Sequence, residues 1–107
     1  MTEEDMNEYG KYIGRVKWFN KKKGFGFINI INEDLDGKDV FCHFSDIQTP
    51  NYKLVLPGEF VSCNVETKED DGKLVCKNIT GVNGHPLMVD NEEYMFRVIP
   101  KNRDKED

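Results

Sequence analysis

Five short segments rich in β-branched and aromatic residues, separated by clusters of Asn, Asp, Gly and Pro, constrain the fold of this chain most strongly. They predict strands near residues 13 to 20, 25 to 31, 39 to 44, 58 to 67 and 73 to 80. No helical period is sustained over three turns, whereas residues 60 to 67 alternate in the manner of a strand. We expect Phe60, which opens this alternating run, to lie in the core.

The short strands predict an all-β domain, and closing the sheet into a barrel removes its exposed edges. With 107 residues, 37% of them apolar, the chain has room for one small core. We expect a flexible, acidic amino terminus over residues 1 to 11 and the barrel domain over residues 12 to 82. An extension over residues 83 to 107 follows and ends in a charged tail.

The extension carries a further strand-like pattern. Residues 86 to 89 and 94 to 99 are mainly apolar and flank a turn-like stretch at 90 to 93, which predicts an extra β-hairpin. Three interpretations stay open: the hairpin caps the barrel, pairs with an edge strand of another copy to form a homodimer, or stays disordered until a partner binds.

Charge is distributed unevenly along the chain. The 15 basic and 20 acidic residues give a net charge of -5, yet residues 11 to 28 contain six basic residues and no acidic ones. The acidic total therefore conceals a basic face. No apolar run approaches the ~20 residues of a membrane helix, and the acidic amino terminus does not resemble a secretory signal. We expect a soluble intracellular protein with no membrane partner, in the cytoplasm or, if it is eukaryotic or viral, the nucleus.

The cysteines and histidines do not form a ligand pattern. Cys42, Cys63 and Cys76 are an odd number without Cys-x-x-Cys spacing, so neither a disulfide framework nor a zinc site is predicted. We expect them to be reduced, small apolar strand residues. The sequence also contains no phosphate-cradling loop and no nucleophile elbow. It therefore predicts no metal, no cofactor and no enzymatic activity.

Side-chain alternation predicts a face covered with rings. Residues two apart in a strand share a face, so Phe25 and Phe27 point to one side while the glycines between and before them point to the other. By the same rule Phe41 and His43 point outward, and small apolar residues beside them fill the core. Exposing so much apolar surface requires a reason. Rings interleaved with lysines suit stacked bases and phosphates.

Four ordered motifs carry a family resemblance. They are Gly14 to Asn20 (GRVKWFN), Lys23 to Ile28 (KGFGFI), Asp39 to Phe44 (DVFCHF) and Asn78 to Gly81 (NITG). Together they resemble the cold-shock domain, an OB-fold nucleic-acid-binding module of bacterial cold-shock proteins and Y-box proteins. The resemblance spans about residues 12 to 82 and implies a five-stranded antiparallel OB-fold barrel. The second and third motifs are similar to the family's two ribonucleoprotein motifs.

The resemblance also implies a binding site. Two lysines would meet phosphates or base edges, Asp39 resembles a family carboxylate beside the site, and Tyr52 replaces a loop aromatic. Strict alternation would turn Trp18 and Phe44 inward, so a bulge or a strand end is needed to bring them to the ligand. The complete predicted site is Lys17, Trp18, Lys23, Phe25, Phe27, Asp39, Phe41, His43, Phe44 and Tyr52.

These features predict a protein that binds single-stranded RNA or DNA by base stacking and charge, and the family resemblance implies an RNA-chaperone role. A duplex hides its base faces, so unpaired strands should be preferred. Stacking does not read the 2′-hydroxyl, which leaves RNA and DNA both open. The alternative is an OB-fold module that binds a protein partner through the carboxy-terminal extension.

Overall fold

Five β-strands form where the sequence pattern predicts them. A computed structural model of the protein describes residues 9 to 50, 53 to 99 and 101. Residues 1 to 8 of the predicted flexible amino terminus, Tyr52 of the predicted site, and the charged tail from residue 102 lie outside these described residues. Each strand ends within two residues of its predicted limits: β1 Tyr12–Asn20, β2 Phe25–Ile30, β3 Asp39–His43, β4 Phe60–Thr67 and β5 Leu74–Gly81.

The strands close into a barrel in the order β1-β2-β3-β5-β4. An all-β barrel is therefore confirmed, but the prediction that every pair is antiparallel is wrong for one pair. β3 and β5 run parallel, with Phe41 opposite Val75. The reason is one of parity: five strands cannot alternate in direction all the way round a closed ring. At least one neighbouring pair must be parallel.

The core is built from the inward positions of all five strands. Ile28, Val40 and Val61 are completely buried, as alternation requires. The three cysteines are free and buried, as expected. Burial raises the pKa of the Cys42 thiol to about 12. This thiol therefore behaves as a small apolar side chain rather than as a nucleophile.

Phe60 does not lie in the core, and that prediction is wrong. Its side chain is 50% exposed, and it shares the outer side of β4 with Asn64. The alternation itself placed Phe60 on this side, and the apolar character of the residue was the misleading signal. Outside the barrel, the guanidinium of Arg15 lies over the ring, 5.9 Å from its centroid.

The carboxy-terminal extension packs on the barrel without forming the predicted hairpin. Within the described residues 83 to 99 there is no strand, only single 3-10 turns at Val82–Gly84 and Met88–Asp90. Leu87 is 2% exposed and belongs to the core cluster. The Met88 amide, which a hairpin would use for pairing, instead donates to a carboxylate oxygen of Glu59 at 2.7 Å. No helix among the described residues is long and apolar enough to cross a membrane.

Candidate nucleic-acid interface

Strand register brings the predicted rings into one row across the outside of the barrel. Trp18 on β1 lies opposite Phe27 on β2, which in turn lies opposite Phe41 on β3. Phe25 lies opposite His43 in the same sheet. The phenyl rings of these strands are half-buried, while the residues that alternate with them are buried. The predicted facing of the β2 and β3 rings is therefore confirmed.

Four of these rings support one another. The ring centroids are 5.4 Å apart for Trp18 and Phe27, 5.7 Å for Trp18 and Phe25, 5.6 Å for Phe25 and Phe41, and 5.9 Å for Phe27 and Phe41. These contacts form a closed circuit, which we name the ring cluster. Interplanar angles from 27° to 80° are favourable for aromatic pairs. Because the rings restrain one another, little side-chain freedom remains to be lost on binding a base.

A bulge in β1 turns Trp18 outward. The pairing of β1 with β2 shifts register between Val16 and Trp18, so that Val16 is buried while the indole is 40% exposed. An extra residue in one strand reverses the side to which the following side chain points. Strict alternation predicts that Trp18 points inward, and this bulge is the irregularity that brings its side chain to the outer face instead.

A strand end has the same effect on Phe44. β3 ends at His43, and Phe44 begins a single 3-10 turn with its side chain 43% exposed. Its ring lies 4.5 Å from the His43 imidazole. The Ser45 amide donates to Nδ1 of His43 at 3.3 Å, which ties the imidazole to the turn that begins at Phe44.

Two glycines of the KGFGFI motif are required by close approach. A side chain on Gly26 would place its Cβ atom 2.1 Å from the carbonyl oxygen of Trp18. Gly24 has a φ of +78°, and a Cβ there would lie 2.6 Å from the Phe44 ring. Both glycines therefore let the backbone come close enough for the neighbouring rings to reach the outer face.

The predicted polar residues flank the rings. Lys17 Nζ donates to a carboxylate oxygen of Asp39 at 2.6 Å, and Asn29 donates to the other oxygen at 2.8 Å. The hydrogen bond from Asn29, followed by that from Lys17, lowers the pKa of Asp39. Asp39 therefore stays ionised and holds the Lys17 ammonium beside the rings. Lys23 is exposed in the turn between β1 and β2, where its amide donates to Asn20.

The structure adds residues that the sequence motifs did not identify. An open cavity of about 490 Å³ runs between the Phe27 and Phe41 rings and Leu74 of β5, and Lys68 and Lys73 also line it. A smaller one of about 330 Å³ lies on the His43 side of Phe41. These residues become neighbours only through the parallel closure of β3 with β5. A local sequence motif therefore carries no signal for them.

The fold and this face define a class of protein: a small closed β-barrel that presents rings and ammonium groups together on one side. Residues 12 to 82 match the family model of the "Cold-shock" DNA-binding domain. The chain therefore belongs to the cold-shock domain family, which is a nucleic-acid-binding family.

Similar proteins carry cold-shock names. The cold shock-like protein CspB of Escherichia coli is 47% identical over 57 residues, which cover 53% of this chain and 76% of that protein. The major cold shock protein of Streptococcus pyogenes is 53% identical over 53 residues, or 50% of this chain and 73% of the relative. The cold shock protein CspV of Vibrio cholerae is 48% identical over 56 residues, with shares of 52% and 76%.

Proposed function

We propose that this protein binds single-stranded nucleic acid by stacking unpaired bases on the ring cluster and on His43 and Phe44. The observation that carries the proposal is the circuit of four mutually packed rings on the outside of the barrel. Soluble domains rarely expose a contiguous apolar patch of this kind unless it serves as a binding surface. Cold-shock relatives and the family match support the same class of ligand.

The expected binding energy comes mainly from stacking. Each base on an aromatic ring contributes about 1 to 3 kcal/mol, so three or four occupied rings give micromolar or tighter affinity without base-specific hydrogen bonds. Lysines such as Lys17 and Lys23 add a term that depends on salt, with a slope of about 0.7 per neutralised phosphate on a single strand. Binding should therefore be broad in sequence and sensitive to salt.

Preference for unpaired bases gives the protein an activity without a catalytic step. Because base pairs hide their faces, binding to the open form shifts a hairpin toward its unfolded state by mass action. No nucleotide hydrolysis is needed for this shift. We propose that the protein acts in this way as an RNA chaperone or as a regulator of transcript structure.

Titration with a pyrimidine-rich oligonucleotide tests the proposal. Trp18 is the single tryptophan and belongs to the ring cluster, so its fluorescence reports occupancy directly. We expect quenching that weakens with salt, and a loss of about 1 to 3 kcal/mol of binding free energy for Phe41→Ala. Met95→Ala, at a residue 92% exposed in the extension, is the matched control and should bind as the parent does. Trp18 fluorescence that does not change at micromolar oligonucleotide concentrations would refute the proposal.

A second candidate function rests on the extension. Tyr94, Met95 and Ile99 expose most of their apolar surface, and exposed apolar groups along a short segment are typical of protein-binding sites. The extension would then contact a protein partner or a second copy of the chain. Sedimentation of the parent beside a Met95→Asp, Ile99→Asp variant tests this, since a dimer formed through these side chains should dissociate.

A further inference from the structure

A second row of side chains runs parallel to the rings on the outside of the sheet. Strand register places Phe60 of β4 opposite Arg15 of β1, Arg15 opposite Asn29 of β2, and Asn29 opposite Asp39 of β3. On β2 this row is two residues from Phe27, which corresponds to a step of about 7 Å along the strand. We name it the Arg15–Phe60 row.

An open cavity lies along this second row. Its volume is about 1030 Å³, and Ile31 and Pro57 contribute apolar surface beside Phe60. Arg15 and Lys17 line it, and none of the described residues that line it carries a carboxylate. On a chain with a net charge of -5, a groove lined by cations is complementary to a polyanion.

The geometry of Phe60 and Arg15 offers both parts of a nucleotide site. Half of the Phe60 side chain is accessible, and the guanidinium of Arg15 lies over the ring as a cation. The Nε atom of Arg15 makes a long hydrogen bond of 3.4 Å to the Gly58 carbonyl. Stacked aromatic and guanidinium planes are surfaces on which unpaired bases lie, and the guanidinium also donates to phosphates.

We propose that the Arg15–Phe60 row is an additional subsite, in which a single strand that leaves the ring cluster stacks one base on Phe60 and places a phosphate on Arg15. The inference rests on the proposed function and extends the bound strand across β1 onto β4. Lys17 borders both areas, since it lines the cavity and is held by Asp39 beside the rings.

Continuity favours a nucleic acid over an acidic peptide as the occupant. An acidic peptide would need the Arg15 guanidinium but not the Phe60 ring, and it would have no reason to continue onto the ring cluster. A single strand repeats one base and one phosphate along its length, which matches the ring cluster followed by a row that offers the Phe60 ring and the Arg15 guanidinium. One OB-fold binds about 4 to 16 nucleotides, so a second row remains within the usual size of a site.

Two oligonucleotide lengths separate this subsite from the ring cluster. Oligothymidylates of ~4 and ~12 nucleotides span the usual range of sites for one barrel. Phe60→Ala should leave the dissociation constant of the short strand unchanged and raise that of the long strand by about 5- to 160-fold. Arg15→Gln should lower the salt slope by about 0.7 for the long strand only. Phe60→Tyr keeps the ring and should restore the parent affinity.

The outcomes distinguish the two hypotheses. If Phe60→Ala weakens neither strand, or weakens both equally, the subsite is refuted, while loss of both strands in Phe41→Ala still supports the ring cluster. A parent protein that binds neither strand refutes the subsite together with the proposed function. Circular dichroism of each variant guards against unfolding, and Phe60→Leu, which keeps an apolar side chain without a ring, should behave as Phe60→Ala does.

Discussion

Replacing Leu87 by Ala should destabilise the barrel, although Leu87 lies beyond the residues that match the family model. Its side chain is 2% exposed and packs within the same core cluster as the strand residues. Truncation of a buried Leu to Ala costs about 2 to 5 kcal/mol, since contacts are lost and a cavity remains. In a domain of this size that loss lowers the melting temperature by at least ~8 °C.

Truncation of the chain after Gly81 should cost more than the single substitution. It removes Leu87 and also the Met88 amide, which donates to a Glu59 carboxylate oxygen at 2.7 Å. Glu59 is buried, and a buried acceptor that loses its donor costs a further ~1 to 3 kcal/mol. The expected total of about 3 to 8 kcal/mol is a large part of the 5 to 15 kcal/mol that stabilises a typical domain. We therefore propose that the folded unit extends past residue 82.

Urea denaturation followed by Trp18 fluorescence measures these losses. Met95→Ala is the matched control, because a fully exposed side chain should change the unfolding free energy by less than about 0.5 kcal/mol. A chain ending at Asn91 keeps Leu87 and Met88 and should stay close to the parent. Parent-like stability of the chain ending at Gly81 would show that the extension is not part of the folded unit.

Three further substitutions test separate parts of the structure. Burial raises the pKa of Glu59, so its contribution to stability is fully present below the ordinary pKa of about 4.5 and declines as pH rises through the raised pKa. Urea titrations over this pH range should show the parent losing stability relative to Glu59→Gln. A difference in unfolding free energy between the two proteins that does not change with pH would contradict this. Gly26→Ala should unfold the domain or displace β1, because the new Cβ would meet the Trp18 carbonyl; a parent-like melting curve would refute the close approach. Lys17→Gln should lower the salt slope of binding by about 0.7. It should change the free energy of unfolding by at most ~1 kcal/mol, since the salt bridge between Lys17 and Asp39 is exposed. An unchanged salt slope would show that Lys17 is not part of the site.

Local pattern was sufficient for the strands and for most of the outward rings. Phe27 and Phe41 obey a two-residue period that depends only on backbone geometry, so their facing could be read before any tertiary contact was known. Trp18 departs from that period because of a bulge, and only the family resemblance predicted its position. Phe60 shows the opposite error. The two-residue period correctly placed it on the outer side of β4, but its apolar side chain led to the wrong prediction that it lies in the core.

Features that depend on distant segments could not be predicted in the same way. Phe41 meets Val75 only because the barrel closes through a parallel pair, and the two residues are far apart in sequence. Leu87 belongs to a segment whose pattern resembled a strand, yet it lies in the barrel core and the next amide donates to a Glu59 carboxylate oxygen. No period within residues 86 to 99 contains that information.

The acidity of the chain shapes how such a face would work. With a net charge of -5, a nucleic acid farther away than the Debye length of ~8 Å meets weak repulsion, and attraction from Lys17 and Arg15 acts only at short range. Charge alone would therefore hold a duplex poorly. Stacking needs exposed base faces and depends little on salt, so it has to supply the larger share of the binding energy. If the proposed function is right, the acidic composition increases the preference for unpaired strands. It disfavours duplexes, which present phosphates to the protein but no exposed base faces.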